Sequence, residues 1–114
     1  MKKSILNIVL SIILLILIIG IFNITANAEV SGSYQYEISQ DGSIKITKYI
    51  GSASSIIIPS KIKDRKVTSI GTSAFQYCDT LEKVVIPNSV TYIGWYAFWG
   101  CQNLENIKMA NSVT

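Results

Sequence analysis

The residue types that carry most protein chemistry are scarce in this chain. There is no histidine, which removes the commonest general base and the commonest catalytic metal ligand. Cys78 and Cys101 are the only thiols, too few for a structural zinc site. Asp41, Asp64 and Asp79 fall in separate predicted turns, so no carboxylate pair is placed for acid and base catalysis. We therefore predict no catalytic residue, no metal ligand and no cofactor-binding residue, and we do not expect an enzyme.

The C-terminal half of the chain repeats itself every 23 residues. Residues 67–91 align with residues 90–114, and 13 of the 25 pairs are identical. This period lies within the range of leucine-rich repeats, in which each repeat supplies one short strand and a returning segment. The predicted fold is an α/β solenoid, a right-handed coil with a parallel strand ladder and short helical turns. Its two repeats are residues 67–89 and 90–112.

An L-x-x-L-x-L spacing recurs in both repeats and directs three apolar side chains of each repeat inward. The inward residues are Leu81, Val84 and Ile86, followed by Leu104, Ile107 and Met109. The alternate strand positions then point outward and form candidate ligand contacts. These outward residues are Lys83, Val85, Asn106 and Lys108.

The segment before each strand predicts a single helical turn, over residues 73–78 and 96–101. Gly71 and Gly94 precede these turns, where glycine permits a bend with positive φ. In the second repeat, aromatic residues replace polar ones of the first, and two interpretations remain open. They form an exposed contact surface, or they cover the side of a neighbouring repeat. These aromatic residues are Trp95, Tyr96 and Trp99.

Cys78 and Cys101 are one period apart and should stack on adjacent repeats, roughly 5 Å apart. That separation allows a disulfide. The alternative is two small, buried free thiols. We favour free thiols, because parallel stacking aims both Cβ atoms the same way, which is poor geometry for a bridge.

Residues 29–66 are predicted to form an N-terminal β cap. Residues 34–38 and 44–49 alternate in polarity around Asp41-Gly42, a strong turn dipeptide, and predict a β-hairpin. Residues 56–59 then resemble residues 84–87, as expected of an atypical terminal repeat.

The first 28 residues have the features of a signal peptide. Lys2 and Lys3 precede an apolar run from residue 5 to residue 22, and Ala26 and Ala28 suit a signal peptidase. We predict cleavage before Glu29. An uncleaved membrane anchor is the alternative, since the run is nearly long enough to cross a bilayer.

The charge of the chain gives no indication of nucleic-acid binding. The net charge is +3, but residues 29–114 hold eight Lys or Arg against seven Asp or Glu, a net of +1. Nucleic-acid binding needs basic residues clustered on one face. The densest basic stretch, residues 61–66, is interrupted by Asp64 and is interpreted as a solvated turn.

The motif V-T-S-I-G-x-x-A-F-x-x-C-x-x-L-x-x-V-x-I-P-x-S-V, which begins at Val67, resembles the BspA-like leucine-rich repeats of bacterial surface proteins. The resemblance covers about residues 34–114 and departs at Met109-Ala110, where the family has Ile-Pro. It implies an exported or surface-displayed module that binds another protein, such as a host, matrix or surface protein. Because the motif fixes no binding residues, Trp95 and Trp99 join the outward strand residues as candidates. The alternative is a structural spacer or cap within a larger surface protein, and we expect the chain to be a fragment.

Overall fold

The computed structural model describes residues 5–11 and 28–110. Residues 5–11 form a short helix, and within the two described ranges no helix is both long and apolar enough to cross a membrane. The rest of the predicted signal peptide, over residues 1–4 and 12–27, lies outside the described residues. The strands between residues 28 and 110 are β1 (Glu29–Ser31), β2 (Tyr34–Ile38), β3 (Ile44–Tyr49), β4 (Ser55–Ile57), β5 (Lys61–Ile62), β6 (Arg65–Ile70), β7 (Lys83–Ile86), β8 (Tyr92–Ile93) and β9 (Asn106–Met109).

The predicted hairpin is confirmed in the cap. Strands β2 and β3 pair antiparallel, with Tyr34 opposite Tyr49. In the turn between them, the Asp41 carboxylate accepts hydrogen bonds from the Ser43 backbone amide at 2.9 Å and from the Ser43 hydroxyl at 2.6 Å, a side-chain contact that mimics a backbone turn. Strand β1 adds a third antiparallel strand, which is too short for an alternating pattern to predict.

Two parallel ladders join the cap to the repeats. One contains β4, β7 and β9, with Ile56, Val84 and Ile107 in register. The other contains β3, β6 and β8, with Ile46, Ile70 and Ile93 in register. The first ladder is the one predicted from the repeat motif. The second is extended by antiparallel strands of the cap, so the sheet that contains it is mixed.

The predicted helical turns are wrong. Residues 72–77 and 95–100 are turns rather than helix, closed by i to i+3 hydrogen bonds such as Ala74 N to Gly71 O and Ala97 N to Gly94 O. Ser73 and Tyr96 are the third residues of the β-turns that span residues 71–74 and 94–97, and they have φ of 58° and 56°. A residue with positive φ interrupts a helix. Positive φ at the third residue is the requirement of a type II β-turn, so each segment forms successive β-turns. The apolar spacing that indicated a helical turn is also compatible with such turns.

The two glycines that precede the turns have a different role from the predicted one. Neither adopts positive φ. A Cβ atom on Gly94 would lie 2.5 Å from the backbone nitrogen of Thr72, and one on Gly71 would lie 3.0 Å from the carbonyl oxygen of Ile46. The backbones approach closely because Gly71 N donates to Ile46 O and Gly94 N donates to Ile70 O, both at 2.7 Å. Glycine is therefore required at position 94 by close contact between the two repeats, and it is favoured at position 71 by a similar but less severe contact with the cap.

A continuous apolar core links the cap to both repeats. Phe75 is fully buried and stacks on Tyr49, with ring centroids 5.3 Å apart, and on Phe98, at 5.0 Å. These spacings are close to the distance between neighbouring strands. The other buried core residues are Tyr36, Ile44, Ile46, Ile56, Ile58, Ile62, Val67, Ile70, Ala74, Leu81, Val84, Ile86, Val90 and Ala97.

The predicted inward residues of the second repeat are only partly buried. Leu104 and Met109 are half-buried and pack against the core. Ile107 is 48% exposed, although it has the same register as the buried Val84. The predicted inward register of Ile107 is kept, but the side chain is exposed because no described residue covers that side of β9.

Candidate interaction surfaces

The outward side chains of β4, β7 and β9 form one surface, here called the ladder face. Successive side chains of a strand point to opposite faces, so the residues between the buried positions share this surface. Its first row contains Ser55, Lys83 and Asn106, and its second row contains Ile57, Val85 and Lys108. The structure therefore brings together the four predicted strand residues.

The ladder face combines positive charge with exposed apolar area. Lys83, Asn106 and Lys108 are exposed and Val85 is half-buried. Ile57 is 74% exposed, and the sequence reasoning missed it as a surface residue. The similarity of residues 56–59 to residues 84–87 was the pattern that could have placed it beside Val85. Within the described residues, neither lysine of this face forms an ion pair, so both charges remain available to a partner.

Exposed aromatic side chains form a second surface on the turns. Trp95 is 76% exposed and Trp99 is 53% exposed. The Trp99 ring lies 5.0 Å from the Tyr77 ring and 5.9 Å from the Tyr96 ring, between centroids. Trp99 thus covers part of the preceding repeat, whereas Trp95 extends into solvent. The ring contact of Trp99 agrees with the interpretation that the aromatic residues cover a neighbouring repeat, while a role of Trp95 in binding stays a prediction.

Backbone hydrogen bonds join the two turns that carry this aromatic cluster. The amides of Ser73, Phe75 and Tyr77 donate to the carbonyls of the second repeat at 3.0, 2.7 and 2.9 Å, and the acceptors are Trp95, Ala97 and Trp99. The Tyr77 ring occupies the space that a Cβ atom on Gly100 would fill, since that atom would overlap Tyr77 Cδ1. Tyr77 was not among the predicted surface residues, although its alignment with Gly100 is the pattern that could have indicated an aromatic ring over a glycine.

The two cysteines are free thiols and are half-buried. The Cys101 thiol donates a hydrogen bond to the Phe75 carbonyl at 2.9 Å. Burial raises the pKa of Cys78, and the nearby Cys101 and Asp79 raise it further. Burial also raises the pKa of Cys101. Both groups are therefore less ionised at neutral pH than an exposed cysteine, and thiolate is the reactive form.

We expect both cysteines to react severalfold more slowly with a thiol reagent at pH 7.5 than a cysteine in an unstructured peptide, because burial limits access and thiolate content. Unfolding in urea should remove the difference. Mass spectrometry of each labelled cysteine measures the two rates separately. Fast reaction of either thiol in the folded protein would contradict the half-buried, protonated state.

Among residues 5–11 and 28–110, no group of three or more histidine, cysteine or acidic residues is placed to hold a metal ion. The ladder face and the aromatic cluster are the two surfaces described above. Their geometry, with ladders of short parallel strands joined by stacked turns, defines a leucine-rich-repeat fold.

Comparison with known proteins identifies the family. The family described as BspA type Leucine rich repeat region (6 copies) matches residues 45–114, which is more than half of the chain. The chain therefore belongs to the BspA-type leucine-rich-repeat family. None of the curated proteins matches the chain.

Solved structures of bacterial leucine-rich-repeat proteins are similar to this chain. A leucine rich repeat protein of T. pallidum is 35% identical with a TM-score of 0.67, over 72% of this chain and 39% of that one. A leucine rich cell surface protein from Faecalibacterium prausnitzii is 34% identical with a TM-score of 0.69, over 75% and 24%. A leucine-rich repeat protein from Bacteroides capillosus is 31% identical with a TM-score of 0.67, over 75% and 67%. The chain thus spans less than half the length of the first two structures.

Proposed function

We propose that this chain is part of an exported bacterial surface protein that binds another protein through the ladder face and performs no catalysis. Leucine-rich repeats generally bind proteins, and proteins of the BspA-like family are typically located at the bacterial surface. In this proposal, cleavage between Ala28 and Glu29 releases residues 29–114 from the signal peptide, and the repeats continue as a right-handed solenoid.

The observation that carries the proposal is the composition of the ladder face. Lys83 and Lys108 lie on adjacent strands beside the half-buried Val85 and the exposed Ile57. Strand pairing fixes the backbone positions of these side chains in rows, so the backbone needs little ordering on binding. A patch with an apolar centre and charged neighbours suits a protein partner that presents carboxylates around an apolar residue. The family membership supports the same type of partner.

The aromatic cluster is a second contact area in this proposal. Tryptophan and tyrosine are enriched among the residues that dominate binding energy at protein interfaces. Trp95, at 76% exposure, is the side chain with the most area to bury there.

Binding to purified extracellular matrix proteins tests the proposal. The chain would be assayed against a panel of immobilised fibronectin, laminin and collagen. We expect K83E/K108E to weaken binding at least tenfold, roughly 1.4 kcal/mol, because reversing two charges places like charges against an acidic partner.

The matched control is K48E/K66E, which makes the same change in net charge away from the ladder face and should leave affinity within about twofold. Equal loss in both variants would show that only net charge matters. If no panel protein binds and the ladder substitutions change no interaction, the proposed function is wrong.

A structural role is the second candidate. It is favoured by the small share of two relatives, 39% and 24%, that the chain spans. In that case this segment is a spacer or cap in a longer protein, and the K83E/K108E variant of the longer protein binds its partner as well as the unchanged protein.

A further inference from the structure

The connection after β4 contains an insertion that the corresponding connection after β7 lacks. Nine positions separate Ile58 from Val67, whereas four separate the equivalent Ile86 from Val90. The five additional residues form an antiparallel hairpin between β5 and the start of β6. The two parallel ladders are maintained on both sides of it, so the insertion is an addition to the repeat and not a change in its register.

This hairpin holds half of the basic residues found between residues 29 and 114. Four of the eight Lys and Arg between residues 29 and 114 are within residues 61–66, against the single acid Asp64. Lys61 and Lys66 are direct cross-strand partners, and both are exposed. Like charges directly opposite each other on two strands are destabilising. Neither lysine forms an ion pair with any described residue, so their repulsion is not relieved within the described chain.

The other two cations of the hairpin are attached to the cap. The Arg65 guanidinium donates to the Gly42 carbonyl at 3.1 Å, and the Lys63 ammonium donates to the Glu29 carboxylate at 3.3 Å. Ile62 is 5% exposed and belongs to the core. The hairpin is therefore a fixed part of the structure that presents Lys61 and Lys66 to solvent.

The hairpin contacts the chain a few residues after the N-terminal apolar segment ends. Lys63 contacts Glu29, the first residue of β1, and Glu29 lies seven residues after Phe22, the end of the apolar run. Seven residues span at most about 25 Å even when fully extended. Tyr36 donates to Glu29 at 2.6 Å, and this hydrogen bond, with that from Lys63, holds the pKa of the Glu29 carboxyl below its usual value. Glu29 therefore stays ionised and keeps Lys63 at this end of the cap.

We propose that the β5–β6 hairpin contacts the anionic phospholipid headgroups of the membrane that the N-terminal apolar segment enters, for as long as that segment remains attached. Headgroup phosphates would relieve the repulsion between Lys61 and Lys66. Each basic residue near an anionic membrane surface strengthens attachment about fivefold, an effect that extends over one Debye length. This contact leaves the ladder face free and does not depend on the identity of a protein partner.

Amine labelling of the full chain in vesicles tests the proposal without any substitution. The chain would be incorporated into phosphatidylcholine vesicles, with or without enough phosphatidylglycerol to give a surface potential of about −30 mV. A membrane-impermeant amine reagent would be added, and each lysine quantified by mass spectrometry. Lys83 and Lys108 on the ladder face serve as references within the same molecule.

We expect labelling of Lys61 and Lys66 to slow about threefold in the anionic vesicles relative to Lys83 and Lys108. A potential near −30 mV raises the local proton concentration about threefold and so lowers the fraction of unprotonated, reactive amine by that factor. High salt should abolish the difference. Equal slowing at all lysines, or no slowing, would overturn the proposal. Slowing by inorganic phosphate with neutral vesicles would also overturn it, since the hairpin would then bind free phosphate and not a membrane surface.

Discussion

Replacing Phe75 with alanine is expected to lower the free energy of unfolding by about 3–5 kcal/mol, the usual cost of removing a fully buried phenylalanine. Phe75 has no exposed surface and stacks on Tyr49 of the cap and on Phe98 of the second repeat. Its removal opens a cavity between the cap and both repeats. Since small domains are stable by only about 5–15 kcal/mol, this loss should be easily measured by urea denaturation.

Phe98→Ala is the matched control, because it removes the same kind of ring from a less buried position in the same stack. Phe98 is only half-buried, and it stacks on the same Phe75 ring from the outer side. We expect this variant to lose about half as much free energy of unfolding, roughly 2 kcal/mol, because the half-buried Phe98 side chain removes less apolar area from water than Phe75 does. Equal losses in the two variants, with unchanged urea dependence, would show that Phe75 does not link the cap to the repeats.

Gly94→Ala is expected to destabilise the protein by about 3 kcal/mol, at the upper end of the usual overpacking range. The added methyl group would lie 2.5 Å from Thr72 N and 2.7 Å from the Gly71 carbonyl carbon. Both neighbours are backbone atoms, so neither rotates away. The second repeat must move, which lengthens the 2.7 Å hydrogen bond from Gly94 to Ile70. Thermal unfolding would measure the change.

The control for Gly94→Ala is Gly32→Ala. A Cβ atom on Gly32 meets nothing within 4 Å, but Gly32 has a φ of 57°, so the variant isolates the cost of a left-handed residue, about 1 kcal/mol. If Gly94→Ala costs no more than Gly32→Ala, the close approach of the two repeats is not what requires glycine.

The period and the alternation of the strands were accessible from the sequence because they are local. Val84 and Ile86 alternate with Lys83 and Val85 along one strand, and this alternation alone predicts which side chains share the ladder face. The hairpin around Asp41-Gly42 was predictable for the same reason. By contrast, the turn segments were assigned to helix, because the spacing of Ala74, Phe75 and Cys78 does not distinguish a helical turn from successive β-turns.

The exposure of individual side chains could not be predicted in this way. Ile107 has the inward register of Val84, yet it is 48% exposed, since burial depends on what covers a residue. Ile57 was similarly missed, although its strand resembles β7. The basic stretch at residues 61–66 was interpreted as a solvated turn, and only the pairing of Lys61 with Lys66 shows that two like charges face each other.

By itself, the sequence determined the leucine-rich-repeat family, the 23-residue period and the outward positions of β7 and β9, because each depends on patterns between neighbouring positions. Only the tertiary structure decided that Gly94 lies against the first repeat and Gly71 against the cap, that Tyr77 lies over Gly100, and that Lys63 of the basic hairpin contacts Glu29. These features join residues that are distant in the chain, and their distances are set by how repeats and cap pack against each other.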